Sequence, residues 1–185
     1  MDSTTEAPME ESVVRTPSFQ VRLARPADVD ALFRLKRELA RAEGNEGVLR
    51  ATARDWLRDG FGAEAQFTAL VAEKGGRIVG MMTYSPVYLT ALAGRVFSIQ
   101  DLFVEADQRK AGIGHALLAR LSAIAMAQGV PLIQLNVHED NAARRFYGRA
   151  GFQQLRECLT YAIGGGAMRE LAAMADADLR VAPPA

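Results

Sequence analysis

Cysteine, histidine, tryptophan and lysine are all scarce in this chain of 185 residues, with one cysteine, two histidines, one tryptophan, and lysine only at Lys36, Lys74 and Lys110. A lone Cys158 excludes an internal disulfide. His115 and His138 are set apart by a predicted helix and offer no metal-ligand spacing, so no metal is expected. An excess of one charge is missing too: Lys+Arg 22 against Asp+Glu 22 leaves a formal net charge of +0. That balance denies the protein a global field for gathering nucleic acid or anionic lipid, and any charged ligand must be met locally. Long hydrophobic runs are also absent. The most apolar stretch, "GIGHALLARLSAIAMAQGV", carries His115 and Arg120 and has helical periodicity, so it reads as a soluble helix rather than a membrane span. The opening "MDSTTEAPMEES" is acidic and polar where a secretory signal is basic and then apolar, and a reduced, cytoplasmic protein is expected.

What is present supports one core, since a chain of this length at 49% hydrophobic content can bury a sizeable one. Residues 1–18, rich in Ser, Thr, Glu and Pro, form a disordered lead-in; residues 19–163 form the folded domain; residues 164–185 form a tail with a short helix at "AMRELAAMA". "FQVRLA" alternates like a strand. "RPADVDALFRLKRELARAEG" places Pro26 at a helix start, Val29, Leu32, Phe33 and Leu35 on one side, and Gly44 as its stop. In "TARDWLRDG", Thr52 and Asp55 have N-cap and N3 spacing, with Gly60 ending the run. "FTALVAE" and "RIVGMMTY" make a hairpin around "KGG", and "RVFSIQDLFV" is a third long strand. A helix from Gly112 to Ala127, a strand "LIQLNV", a short helix "NAARRFYGRAG" and a last strand "LRECLTYAI" follow. This order predicts an α/β fold with a mixed, mostly antiparallel sheet and helices on both faces. The unit from Val96 to Val137 is a right-handed parallel crossover.

The loop "DQRKAGIG" raises a sharper question. A helix N-terminus leaves unpaired N–H groups and a partial positive charge, a setting that suits phosphate where no side chain blocks the approach. Gly112 and Gly114 clear that approach, and Arg109 and Lys110 add charge; the plainer alternative is a tight turn with two solvated cations. A P-loop is excluded, because Gly114 is followed by His115 and Ala116 rather than Lys and Ser/Thr. A dinucleotide fingerprint fits poorly, with Leu117 at its third small position and a polar loop between Val104 and Gly112, although Glu139 stands where a ribose-binding acid would.

"LFVEADQRKAGIGHALL" resembles the acetyl-CoA signature of the GNAT superfamily of N-acetyltransferases, with Arg109, Gly112 and Gly114 in its positions. "NVHEDNAARRFYGRAGF" is similar to the family's second element, with Ala143, Phe146, Tyr147, Gly151 and Phe152 in place; the family's Asn position falls on Asp140, and Asn141 comes one residue late. A narrower likeness to the spermidine/spermine (diamine) acetyltransferases runs from "RLKRELARAEG" through "LRDGFG" to Phe152. The resemblance implies a GNAT fold with a splayed parallel strand pair, acetyl-CoA as co-substrate, a small-molecule amine as partner, and a homodimer. It also implies that Asp140, Asn141, Ala143 and Tyr147 lie along the cofactor, and that Glu43 and the Gln100 position meet the amine. Those relatives carry an acid where this chain has Gln100, which can neither accept a proton nor carry charge.

Acyl transfer from a thioester to an amine needs an uncharged nucleophile, help for a developing oxyanion and a proton for the departing thiolate. Backbone amides of Leu102, Phe103 and Val104 are candidates for the thioester oxygen and the cofactor's amide arm, provided a bulge splays this strand from "LIQLNV"; ordinary sheet pairing is the alternative. Pyrophosphate would then lie over Arg109, Lys110, Ala111, Gly112, Ile113 and Gly114. Tyr147 is the candidate general acid, since a phenol near pKa ~10 can protonate a thiolate whose thiol titrates near ~8.5; a packing aromatic is its alternative. Asp101, His138 and Glu139 are candidates to receive the amine's proton, with Asp101 equally readable as a structural acid and His138 as a solvated strand-end residue. His138 and Glu139 are also candidates for contact with the substrate. Cys158 lacks an activating neighbour and reads as packing; Arg144 and Arg145 read as a solvated helix face. The expected activity is therefore acetyl transfer to a small cationic amine, diamine- or polyamine-like. A protein amine as acceptor, or coenzyme A binding without catalysis, remain the alternatives.

Overall fold

The computed structural model describes residues 18–155 and 162–173. Most of the expected strand "LRECLTYAI", Cys158, the lead-in before residue 18 and the tail after residue 173 lie outside the described residues. The chain divides into two compact units, with the boundary between Asn141 and Ala142.

The first unit is built on one sheet, ordered β1 (Gln20–Leu23), β2 (Thr68–Lys74), β3 (Arg77–Leu89), β4 (Gly94–Val104) and β5 (Ile133–Leu135). Neighbouring strands are antiparallel except β4 and β5, which run parallel and are joined through a helix, as the crossover pattern requires. On one face, Leu32, Leu35 and Leu39 of α1 (Val29–Ala42) and Trp56 of α2 (Ala53–Phe61) pack on Ala69, Val71, Ile78, Met81 and Phe103. The alternate residues Leu70, Ala72, Gly80 and Met82 face the other way, toward α3 (Ile113–Ala127). A Cβ added at Gly80 would stand 3.1 Å from Ile113, so the helix start rests directly on the sheet. Leu117 and Leu121 continue that fully buried stripe at helical spacing.

Two bulges decide which side chains look where. Between β2 and β3 the pairing passes from Ala72↔Gly80 to Glu73↔Ile78, leaving Val79 extra, so Ile78 and Met81 share the α1 face. Between β3 and β4 it passes from Thr83↔Asp101 to Tyr84↔Ile99, leaving Gln100 extra. Phe97 therefore packs on Tyr84, 4.9 Å between ring centroids, on the α3 side, whereas Asp101 and Phe103 turn to α1.

The helix starts follow the sequence closely. Thr52 and Asp55 form a reciprocal capping box: the Asp55 amide donates to the Thr52 hydroxyl at 3.2 Å and the Thr52 amide to the Asp55 carboxylate at 2.9 Å. The expected stop at Gly60 is passed, and α2 runs to Phe61 with Gly62 as its C-cap. Gly60 serves packing instead, since a Cβ there would lie 2.8 Å from the Phe67 ring. "LIQLNV" is shorter than expected, with only Ile133–Leu135 in the ladder. In the second unit the described helices are α4 (Arg144–Arg149) and α5 (Gly165–Ala173).

The entry to α1 is held by a buried carboxylate. A 3-10 turn at Pro26–Asp28 precedes the helix, and the Arg25 amide donates to Asp28 at 2.7 Å. Arg22 of β1 donates to both Asp28 oxygens, at 2.7 and 3.0 Å, and through Nε to Glu73 of β2 at 2.9 Å. The guanidinium beside Asp28 holds its carboxyl below the usual carboxylate range, against the opposing pull of burial. Asp28→Asn is expected to cost about 1–3 kcal/mol of stability at neutral pH. Because the folded-state pKa is depressed, this contribution is complete above about pH 4 and is lost as pH falls through the folded value. Urea melts of both proteins should therefore converge in acid; a gap that widens there would contradict the assignment.

Candidate active site

Beyond Val104 the chain enters a loop whose first half is pinned. Glu105 is buried and paired with Arg34 of α1 at 2.6 Å and Arg77 of β3 at 2.8 Å, and Arg34 also donates to the Ile78 carbonyl at 2.9 Å. Lys74 reaches Gln108 at 2.9 Å, and the Gln108 side chain, donating to Asp107, holds that carboxyl below its usual range. The second half is exposed backbone. Lys110 (φ 67°) and Gly112 (φ 82°) are both left-handed, and a non-glycine residue such as Lys110 pays about 1–2 kcal/mol for that conformation. Gly112 is the N-cap of α3 with no side-chain cap bond, and the first turn holds no acid. The first amides of the helix and their partial positive charge are thus left uncapped by its own side chains. Arg109 folds back over the strand end, Nε donating to the Val104 carbonyl at 3.0 Å and the guanidinium 5.6 Å from the centre of the Phe103 ring. Ala111 and Gly114 complete this cradle.

The end of β4 supplies further donors. The Glu105 amide bonds the Val79 carbonyl at 3.0 Å, which sets the phase of pairing with β3. By alternation, Phe103 and Asp101 spend their amides on β3, while Leu102 and Val104 turn theirs toward the β5 side. The ladder to β5 runs only from Phe97↔Ile133 to Ile99↔Leu135. Leu102 and Val104 therefore point their amides past the last rung, into the gap where the two parallel strands part.

On the α1 face of the bulge lies a polar cluster. Gln100 is exposed and its amide donates to Ser85 Oγ at 3.1 Å, which in turn donates to the Gln66 carbonyl at 2.9 Å. Asp101 accepts from Lys36 Nζ at 2.6 Å on one oxygen and from Thr83 Oγ1 at 2.9 Å on the other. Lys36 and Thr83 were not among the residues picked out by sequence. The available signal was that Lys36 stands four residues after Leu32 and three before Leu39, on the apolar stripe of its helix. Glu43 caps the C-terminus of α1 and is exposed. His138, Glu139 and Asp140 are exposed just after β5, in a turn closed by the Asn141 amide on the His138 carbonyl at 3.0 Å.

Tyr147 and Ala143 belong to the second unit. Ala143 is the N-cap of α4 and accepts from the Tyr147 amide at 3.1 Å. The half-buried Tyr147 ring meets Phe146 and Phe152 edge-on, with centroids at 5.2 and 5.7 Å, and the Phe152 amide returns to the Tyr147 carbonyl at 3.0 Å. Among the described residues there is no group of three His, Cys, Asp or Glu side chains placed to hold a metal, and no helix long and apolar enough to cross a membrane.

Comparison with known proteins places the chain among acetyltransferases. The profile described as "Acetyltransferase (GNAT) family" matches residues 29–152. Thialysine N-epsilon-acetyltransferase of Mus musculus is 32% identical over 167 residues, covering 84% of this chain and 98% of that protein. Spermidine/spermine N(1)-acetyltransferase-like protein 1 of Homo sapiens is 36% identical over 115 residues, 58% of this chain and 16% of its own length. A solved integron cassette protein from V. cholerae superposes with a TM-score of 0.70 at 22% identity, covering 84% of this chain and 98% of that one, a likeness of fold alone.

Gly112 makes a direct test of the loop. Nothing lies within 4 Å of an added Cβ there, so the whole cost of Gly112→Ala should come from its left-handed φ, about 1–2 kcal/mol. A urea titration that finds no loss would mean the loop takes another backbone path.

Proposed function

The chain belongs to the acetyltransferase (GNAT) family, and from that premise we propose that it transfers the acetyl group of acetyl-CoA to a small cationic primary amine by direct attack. The observation that carries this reading is the uncapped, left-handed entrance to α3 at Gly112 beside the two amides of Leu102 and Val104 that look past the β5 ladder. These donors suit a ligand with a diphosphate at one end and a chain of amides leading to a thioester.

When bound, acetyl-CoA supplies an acetyl group whose C–S bond is replaced by a C–N bond. Arg109 and the amides from Lys110 to Gly114 hold the pyrophosphate, and Asp140, Asn141 and Ala143 line the cofactor further along. Leu102 and Val104 donate to the amide arm and the thioester oxygen, stabilising negative charge on that oxygen; the Phe103 ring supports Arg109. Gln100, Glu43, His138 and Glu139 contact the acceptor. Asp101 receives the proton that the alkylammonium must lose before it can attack, using lone pairs beyond those given to Lys36 and Thr83. Tyr147 would give a proton to the departing sulfur, and the second proton released by the acetylated nitrogen would restore its phenol through solvent. The same reading takes the protein to be a cytoplasmic homodimer acting on a small molecule rather than on nucleic acid or a membrane.

Thiol release across a panel of amines tests the proposal. Turnover with small amines is expected. Binding of acetyl-CoA without release on any amine would leave only a coenzyme A-binding module, and intact-mass shifts confined to protein substrates would redirect the reading to a protein acetyltransferase. Tyr147→Phe should lower kcat about 10²-fold with little change in the KM for acetyl-CoA. An unchanged kcat would remove Tyr147 from the chemistry.

A further inference from the structure

Lys36 is where α1 departs from its own pattern, placing a charge on the stripe that faces the sheet. Its ammonium lies 2.6 Å from Asp101, with the two side chains only 25% and 11% exposed, so water screens the pair weakly. Thr83 satisfies the second carboxylate oxygen at 2.9 Å. One residue earlier the bulge carries neutral Gln100, already bonded to Ser85. At the bulge the Asp101 carboxylate is therefore met by an ammonium of the chain itself. The remaining acids near the end of α1 do not replace it: Glu46 pairs with Arg41 at 3.0 Å, and Glu43 is exposed to screening solvent.

We propose that Lys36 is a specificity-determining residue that turns the enzyme away from polyamines and toward an amine borne on a carrier with no second uncompensated cation, such as an amino acid. The inference rests on the acetyl-transfer reading above. An unpaired carboxylate at Asp101 would attract every cation on the acceptor. Paired with Lys36 it presents a dipole, whose field falls off faster with distance than that of a charge, and extra ammonium groups gain little there. A carboxylate on the acceptor, conversely, meets no net negative charge at the Lys36–Asp101 pair itself. Asp101 keeps lone pairs for the reacting nitrogen itself.

Free lysine and cadaverine, which differ by one carboxylate, make the test, with thiol release measured in the wild type, Lys36→Met and Lys36→Arg. The wild type should show a higher kcat/KM for lysine than for cadaverine. Lys36→Met should raise the cadaverine-to-lysine ratio about tenfold, mainly through a lower KM for cadaverine, with the change shrinking in high salt. Lys36→Arg should keep the wild-type ratio. Because the readout is a ratio on one preparation, partial misfolding of a variant cancels. A wild type that prefers cadaverine, or a ratio that Lys36→Met leaves unmoved, overturns the role of Lys36 alone. Absence of thiol release with every amine tried overturns the acetyl-transfer reading and this inference with it.

Discussion

The single extra residue at Gln100 is the constraint from which the geometry of the site follows. In a strand, a shift of one residue exchanges the two faces. Without the bulge, Asp101 and Phe103 would share the α3 face with Phe97 and Ile99; with it, they turn beneath α1. The same irregularity coincides with the end of pairing to β5, whose last rung is Ile99↔Leu135. A bulge bends its strand and sharpens the local twist, which is how one strand leaves its parallel neighbour while keeping its antiparallel one. Pairing with β3 resumes from Asp101 to Val104, so the amides of Leu102 and Val104 stay on a rigid frame.

Charge is handled locally throughout. The chain has a net charge of +0, and its partly buried ions are met one by one: Asp28 by Arg22, Glu105 by Arg34 and Arg77, Asp101 by Lys36. The Glu105 and Asp101 pairs also join elements distant in sequence, and the Glu105 pairs tie the start of the loop before α3 to α1 and β3. A partly buried ion pair adds little net stability once desolvation is counted, but breaking one side is costly, so such pairs fix position more than they add strength. The loop from Arg109 to Gly114 differs in kind, because much of its positive character comes from oriented backbone amides, which cannot swing away as a lysine side chain can.

Local signals were the legible part of this protein. The Thr52/Asp55 capping box, the helix opening at Gly112 and the antiparallel strands each depend on residues a few positions apart, and each is where the sequence places it. The splay of the β4/β5 pair was expected from resemblance, but its cause at Gln100 carries no glycine or proline to announce it. Gly60 misled because a helix-stopping glycine and a glycine that admits an aromatic ring look alike in sequence; only Phe67 against it distinguishes them. The Lys36–Asp101 pair joins residues 65 positions apart and depends on the bulge for its existence, so no local pattern could have revealed it. Tyr147 was marked by its motif rather than by periodicity, and Phe146 and Phe152 now account for the aromatics around it.

A donor rich in phosphate and an acceptor that arrives as a cation pull a site in opposite directions, since a field that gathers one repels the other. In the proposed reaction β4 acts as the spacer. At about 3.3 Å per residue, the three steps from Asp101 to Val104 span about 10 Å before the loop to α3 even begins. That exceeds the Debye length of about 8 Å at physiological salt, so across the solvent-exposed side of the strand the positive potential at Gly112 is weakened by the time it reaches the bulge. The two ends can then be tuned independently: a cation such as Lys36 can neutralise the acceptor end without weakening or strengthening the grip on phosphate. Had the charges been adjacent, a change of acceptor preference would have altered donor binding as well, and a substitution on one helix could not have served specificity alone.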